Sequence, residues 1–197
     1  MLELDPRHTA VVLVDLQKGT LAMPLQPHSS AAIIANAMRL AEACAAAGGL
    51  VVRVRIDFSQ HYVDRLQQPV DMPIKLPPGN PPPDFAEFPP EVAAIPADLT
   101  ITKRQWSAFF GTELDLQLRR RSAATVILGG IATNFGVEST ARDAWYQNYA
   151  VVVAEDATSS LDAELHRFSI EKILPRLARV RSTAEIVGAL ATGAPTG

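Results

Sequence analysis

One cysteine in 197 residues, Cys44, has no partner within the chain, so no internal disulfide can form. That economy of thiols suits a reducing compartment, and a cytoplasmic location is expected. Basic charge is also scarce. Eighteen Lys and Arg against twenty-one Asp and Glu give a net charge of −3, the reverse of the clustered positive excess that nucleic-acid binding needs. The single dense basic run, Arg119-Arg120-Arg121, closes an expected helix, where cations complement the dipole. No apolar stretch approaches the roughly 18 residues of a membrane span, so no membrane partner is expected. The opening MLELDPRHTA is charged and leads straight into a strand, unlike a secretory leader. The four histidines (His8, His28, His61, His166) show no HExxH or other paired spacing, so neither a metal site nor a cofactor is expected.

What is present is an alternation of apolar runs with helical patterns, which predicts one α/β domain over residues 1–197: a three-layer αβα sandwich around a central parallel sheet. Thr9–Val14 is apolar throughout, as a strand buried on both faces should be. Strands are also expected at Leu50–Ile56, at Leu99–Thr102 (short), at Thr125–Leu128 and at Ala150–Val153. Helices are expected near 30–47, stopped by Gly48-Gly49, and near 113–121, 137–147, 161–174 and 183–190. Capping boxes are read at Thr112/Asp115, Ser159/Asp162 and Ser182/Glu185. Residues 58–97 break the rhythm. Ten of the fifteen prolines fall between Pro69 and Pro96, which excludes regular core elements and predicts a functional loop or lid. A linker between two domains is rejected, because neither side alone carries a full set of strands. The tail from 191 to 197 is expected to fray.

Ligands of open α/β sheets bind beyond the carboxyl ends of the strands, which selects Asp15, Asp57, Lys103, the turn Gly130–Gly136 and Asp156. A carboxylate at the tip of a buried strand has its pKa raised by desolvation unless a cation compensates, and Lys103 is the cation expected beside Asp15. Taken alone, Lys103 would read as a solvated surface charge. The turn through Gly136 joins a strand to a helix and presents backbone N–H groups to an anion, though on spacing alone a glycine turn is a weak signal.

Three segments carry a resemblance: VVLVDLQ around Asp15, TKRQWSAF from Thr102 to Phe109, and GIATNFGVESTARDA from Gly130 to Ala144. Together they resemble the isochorismatase-like hydrolase superfamily, in order and over nearly the whole chain. The resemblance implies a parallel sheet flanked by helices and a triad of Asp, Lys and Cys. Asp15 and Lys103 fall on the first two positions, and Gly136 falls where most members have the cysteine. It also implies a cis peptide at Ile131–Ala132, backbone donors from Ala132 and Gly136 for developing negative charge, and assembly into homo-oligomers. Cys44 sits mid-helix in an alanine-rich run and is read as a small buried hydrophobe. The metal-binding members begin their ligand set with Asp-x-His after the second strand, where this chain has Asp57-Phe58-Ser59 and His61 is displaced.

Without the thiol, the thioester route to amide hydrolysis is closed. The branch of the family that also carries glycine uses its aspartate as a general acid, protonating a vinyl ether so that water attacks the oxocarbenium carbon. Those members place a substrate-contacting tyrosine where this chain has Ala132, which argues against isochorismate itself. Two functions follow as expectations. The first is a cysteine-independent hydrolase of a small, anionic metabolite, run by Asp15 and Lys103. The second is a degenerate family member that binds a ligand or partner without turnover.

Overall fold

The computed structural model describes residues 2–74 and 78–193. Lys75–Pro77 of the Pro-rich segment and 194–197 of the tail lie outside the described residues. In chain order the strands are β1 (Thr9–Val14), β2 (Leu50–Ile56), β3 (Leu99–Lys103), β4 (Thr125–Ile131), β5 (Ala150–Ser159) and β6 (Arg179–Arg181). The helices are α1 (Lys18–Leu21), α2 (Ser30–Ala46), α3 (Pro90–Ala93), α4 (Leu114–Arg120), α5 (Glu138–Tyr146), α6 (Ala163–Phe168) and α7 (Thr183–Gly193). All six strands run parallel in the order β3-β2-β1-β4-β5-β6, so β1 and β4 flank the point where the winding reverses. That point opens a crevice beyond their carboxyl ends. Among the described residues, no helix is long and apolar enough to cross a membrane.

β1 explains why the sheet is covered on both sides. Its six residues are buried, and they alternate between two cores. Val11 and Leu13 pack with Ile33, Ala37 and Leu40 of α2 and with Ile186 and Leu190 of α7. Ala10, Val12 and Val14 pack with Leu114 and Leu118 of α4 and with Ala141 and Ala144 of α5. The two-residue period of a strand sends successive side chains to opposite faces. Strands from both sides of the Pro-rich segment share this one sheet, β2 pairing directly with β3.

Several boundaries differ from the sequence reading, each for a local reason. β5 does not stop at Val153 but continues to Ser159. A register irregularity between the Leu128–Val153 and Gly130–Thr158 pairs lets it accommodate the polar residues Glu155 and Asp156. Asp156 therefore does not end a strand at the site. Its Oδ1 accepts bonds of 2.7 Å from both the N–H and the hydroxyl of Thr183, at the start of α7. Ser159 remains in β5, and α6 is capped by Asp162, which accepts from the N–H groups of Glu164 and Leu165. The Thr112/Asp115 box is only half made. Thr112 accepts from the Leu114 N–H, whereas Asp115 bonds Tyr149 and Arg119 instead. The Ser182/Glu185 box forms reciprocally, and α7 runs on through Gly193.

Within the Pro-rich segment the chain makes a short turn at Gln60–Tyr62 and the single-turn α3. Its later part straps onto the loop after β1. Lys18 and Gly19 donate their N–H groups to the carbonyls of Glu87 and Phe85, and the Lys18 ammonium lies 2.7 Å from Glu87. Gln17 completes the strap from a buried position. Its side-chain amide exchanges 2.8 Å bonds with the backbone of Ile56 at the end of β2 and donates at 3.0 Å to the Phe85 carbonyl. One side chain thus fixes the tip of β2 and the segment covering it.

Candidate active site

Asp15 follows β1 with a left-handed backbone (φ 54°). Its N–H donates to Val54, and its carbonyl accepts from the Thr20 hydroxyl, which holds this conformation. Aspartate is one of the few side chains that tolerates it. The turn directs the carboxyl inward, where it is 5% exposed. Lys103, the last residue of β3, is buried still deeper at 1% and reaches across the end of β2. Its Nζ lies 2.7 Å from Asp15 Oδ2 and donates at 3.0 and 2.7 Å to the carbonyls of Gln105 and Trp106. Three donors meet three acceptors, so the ammonium is fully satisfied. Asp15 Oδ1, by contrast, is buried with no protein hydrogen-bond partner.

Burial pushes the Asp15 carboxyl up to about 6 against the pull of the Lys103 ammonium. Desolvation of the charged form outweighs the ion pair and hydrogen bond with Lys103 and the smaller pull of the Ile56 backbone.

From the other side of the crevice comes the turn after β4. Gly130 permits the approach: it sits at φ 121°, and a side-chain carbon there would lie 2.0 Å from the Val14 carbonyl oxygen. The Ile131–Ala132 peptide is cis. Residues Thr133–Val137 then form one wide helical turn leading into α5, and the N–H groups of Phe135 and Val137 both return to the Ala132 carbonyl. A Cβ added at Gly136 would lie 3.4 Å from Asp15 Oδ2, 3.3 Å from Val14 Cγ1 and 3.0 Å from the Ile131 carbonyl oxygen. The three positions Asp15, Lys103 and Gly136 therefore meet at one point, and a side-chain carbon at 136 would be in contact with the carboxylate. Trp106, half exposed, tilts against Phe135 of the same turn at 4.9 Å between ring centres.

Other positions read from the sequence fall elsewhere. Asp57 lies beside Lys103 in the sheet, but its Oδ1 accepts from the Phe58 N–H. His61 is exposed and donates its backbone N–H to Asn80. Cys44 is fully buried at the opposite end of the sheet, its sulfur 3.5 Å from the carbonyl of Leu50, where β2 begins. Burial pushes its thiol up to about 11. Cys44→Ala is accordingly expected to leave any turnover unchanged, with iodoacetamide labelling of Cys44 appearing only on unfolding. Rapid labelling of the native chain that stops turnover would contradict this.

The sequence reading missed two polar arrangements, one buried and one partly exposed. Gln17 was visible only as part of the VDLQ motif, two residues after Asp15. The other arrangement joins three elements. Glu155 Oε1 receives His28 Nε2 at 2.8 Å and His166 Nε2 at 3.2 Å, while His166 Nδ1 lies 2.8 Å from the Thr133 hydroxyl. The His166 bond, with help from His28, holds the Glu155 carboxyl down at about 2.

With this geometry in view, the similarities are consistent. The model of the isochorismatase domain matches residues 9–185. The isochorismatase-family protein YecD of Escherichia coli O157:H7 is 47% identical over 192 residues, 96% of this chain and 100% of that protein. An isochorismatase-family protein of Burkholderia thailandensis, known by its structure, superposes with a TM-score of 0.90 at 39% identity, covering 96% of this chain and 98% of that one. N-carbamoylsarcosine amidase from Thermoplasma acidophilum superposes with a TM-score of 0.66 at 26% identity, over 89% of this chain and 96% of that one. The chain belongs to the isochorismatase-like hydrolase family, with glycine at the position that faces its buried Asp–Lys pair.

Proposed function

We propose that this hydrolase works without a nucleophilic thiol, using Asp15 as a general acid on a small, anionic metabolite with a vinyl ether or related C–O or C–N bond. The observation that carries the reading is Asp15 Oδ1, a carboxyl oxygen buried at the crevice with no protein partner. A buried polar atom left unpaired is costly, and a catalytic role is one reason such a cost is kept. Lys103 fixes the other oxygen, so a proton on the carboxyl resides on Oδ1. Transfer of that proton to the vinyl carbon leaves an oxocarbenium ion. Water then adds to the cationic carbon and loses its own proton to Asp15, and the hemiketal collapses to a carbonyl compound and an alcohol. Backbone N–H groups of Ala132 and Gly136 balance the substrate's negative charge, and the Trp106–Phe135 pair offers an apolar wall. A general acid of this kind contributes roughly 10²–10⁴-fold.

The amidase named above is a relative by fold, but its type of reaction would need a nucleophile here. A non-catalytic, ligand-binding role is the rival reading, and Gly136 is the residue that favours it. A screen of anionic enol ethers and related metabolites, followed by product formation and by melting temperature, separates the two. Product released by the wild type and not by Asp15→Asn supports the hydrolase. Thermal stabilisation by a compound recovered unchanged supports the binding protein.

The site also predicts the behaviour of a restored thiol. In a Cys44→Ala background, Gly136→Cys places its sulfur against Asp15, which accepts the thiol proton while Lys103 balances the thiolate. Intact-mass kinetics with iodoacetamide should show residue 136 reacting faster than an exposed model thiol. Reaction no faster than that thiol would remove Gly136 from the site. Some stability is lost as well, since the new Cβ presses on the Ile131 carbonyl.

A further inference from the structure

Away from the Asp15–Lys103 pair, the largest gathering of metal-ligating side chains among the described residues is His28, Glu155 and His166. One ligand atom from each lies within 4.8 Å of the others. We propose that these three residues bind a divalent transition-metal ion of the zinc class, with His28 Nε2, His166 Nε2 and a Glu155 oxygen as ligands and a fourth position open to water. The site is independent of the acid–base reading of Asp15.

The donor set is the first argument. Two imidazoles and one carboxylate suit zinc, cobalt or nickel rather than the all-oxygen shells of calcium and magnesium. Metal–ligand bonds of about 2.0–2.1 Å put tetrahedral ligands roughly 3.3 Å apart. Two of the separations here are 2.8 and 3.2 Å and the third is within 4.8 Å, so side-chain shifts of an ångström or so bring all three to an ion.

Support around the ligands is the second argument. His166, with a side chain only 4% exposed, is oriented by its other ring nitrogen against the Thr133 hydroxyl at 2.8 Å. A hydroxyl both donates and accepts, so it serves either tautomer. When the ion takes Nε2, the imidazole proton resides on Nδ1 and is donated to Thr133 Oγ1. His28 is fixed through its backbone N–H, which donates to Ser159 Oγ at 3.2 Å. Glu155 is carried out of the regular ladder by the irregularity in β5.

Access is the third argument. The His28 and Glu155 side chains are 27% and 34% exposed, which leaves an entry path and room for a water ligand. The ion would tie the loop before α2, the strand β5 and the helix α6 together, next to the residue that opens the Gly136 turn.

The test uses the full chain, stripped with a chelator, dialysed and titrated with cobalt(II) chloride. The expected result is one ion per chain, the visible d–d bands of a four- or five-coordinate nitrogen–oxygen site, displacement by zinc(II), and a raised melting temperature. His28→Ala, in a surface loop, and Glu155→Gln, which keeps the side chain's shape, should each abolish the bands while circular dichroism stays unchanged. Thr133→Val should weaken binding about 10–100-fold, as loss of a ligand-orienting partner does. Absence of stoichiometric cobalt binding by the folded wild type overturns the proposal. So does binding that survives His28→Ala or Glu155→Gln undiminished, since the ion would then sit elsewhere, for example on the exposed His8 or His61.

Discussion

Asp15→Asn is expected to lower turnover by roughly 10²–10⁴-fold while the chain stays folded. Asparagine keeps the shape of the side chain and can accept from Lys103, but it has no acidic proton to transfer. The same substitution should change how stability depends on pH, and the sign is unusual for a carboxyl. Burial raises the folded-state carboxyl from the ordinary 3.8 to about 6, so the folded state binds the proton more tightly than the unfolded chain does. The stabilisation this proton brings is complete below the unfolded value and is lost as pH rises through about 6. The lost amount is about 3 kcal/mol. Plotted from about pH 3 to about pH 7, wild type minus Asp15→Asn should therefore fall by that amount and then level off. Turnover by the wild type should decline only as pH rises through about 6, where the folded acid loses its proton. A stability difference that is flat, or that rises with pH, would show that Lys103 fully compensates the charge. Asp15→Asn retaining most of the wild-type rate would end its role as the acid.

Much of this site was legible because its parts lie at strand ends, and strand ends are set by apolar runs. Val11–Val14 and Val126–Leu128 are continuous enough to locate the tips of β1 and β4, and the parallel fold then dictates where those tips meet. Extra residues opposite a single partner were not legible. Glu155 and Asp156 look like the end of an apolar strand, yet β5 absorbs them and carries on. β6 was missed because Arg179-Val180-Arg181 has only one apolar residue, and its pairing with Val152–Ala154 is tertiary. The caps failed where a competing partner was closer in space than in sequence, as Tyr149 is for Asp115. The His28–Glu155–His166 cluster escaped for the same reason. Its members are 127 and 11 residues apart, a spacing that no local motif encodes.

The most damaging change to the fold itself should be Lys103→Met. The two side chains are of similar length, so the cavity is small and the loss is electrostatic. Methionine leaves the buried Asp15 carboxyl without its cation and leaves the carbonyls of Gln105 and Trp106 without their shared donor. Removing one partner of a buried pair typically costs about 3–5 kcal/mol. In a chain of this size that corresponds to a fall in melting temperature of roughly 10 °C. Turnover should vanish as well, because nothing then fixes which Asp15 oxygen carries the proton. A damaged fold alone would also abolish turnover, so the double variant Asp15→Asn/Lys103→Met is the discriminating measurement. With no buried carboxylate to strand, adding Lys103→Met to Asp15→Asn should cost less than adding it to the wild type, leaving a coupling of about 1–3 kcal/mol. Urea unfolding of all four proteins at neutral pH yields that coupling directly. Strict additivity would mean that Lys103 serves the two backbone carbonyls and not Asp15. Lys103 would then be a neighbour of the acid rather than the group that sets its protonation.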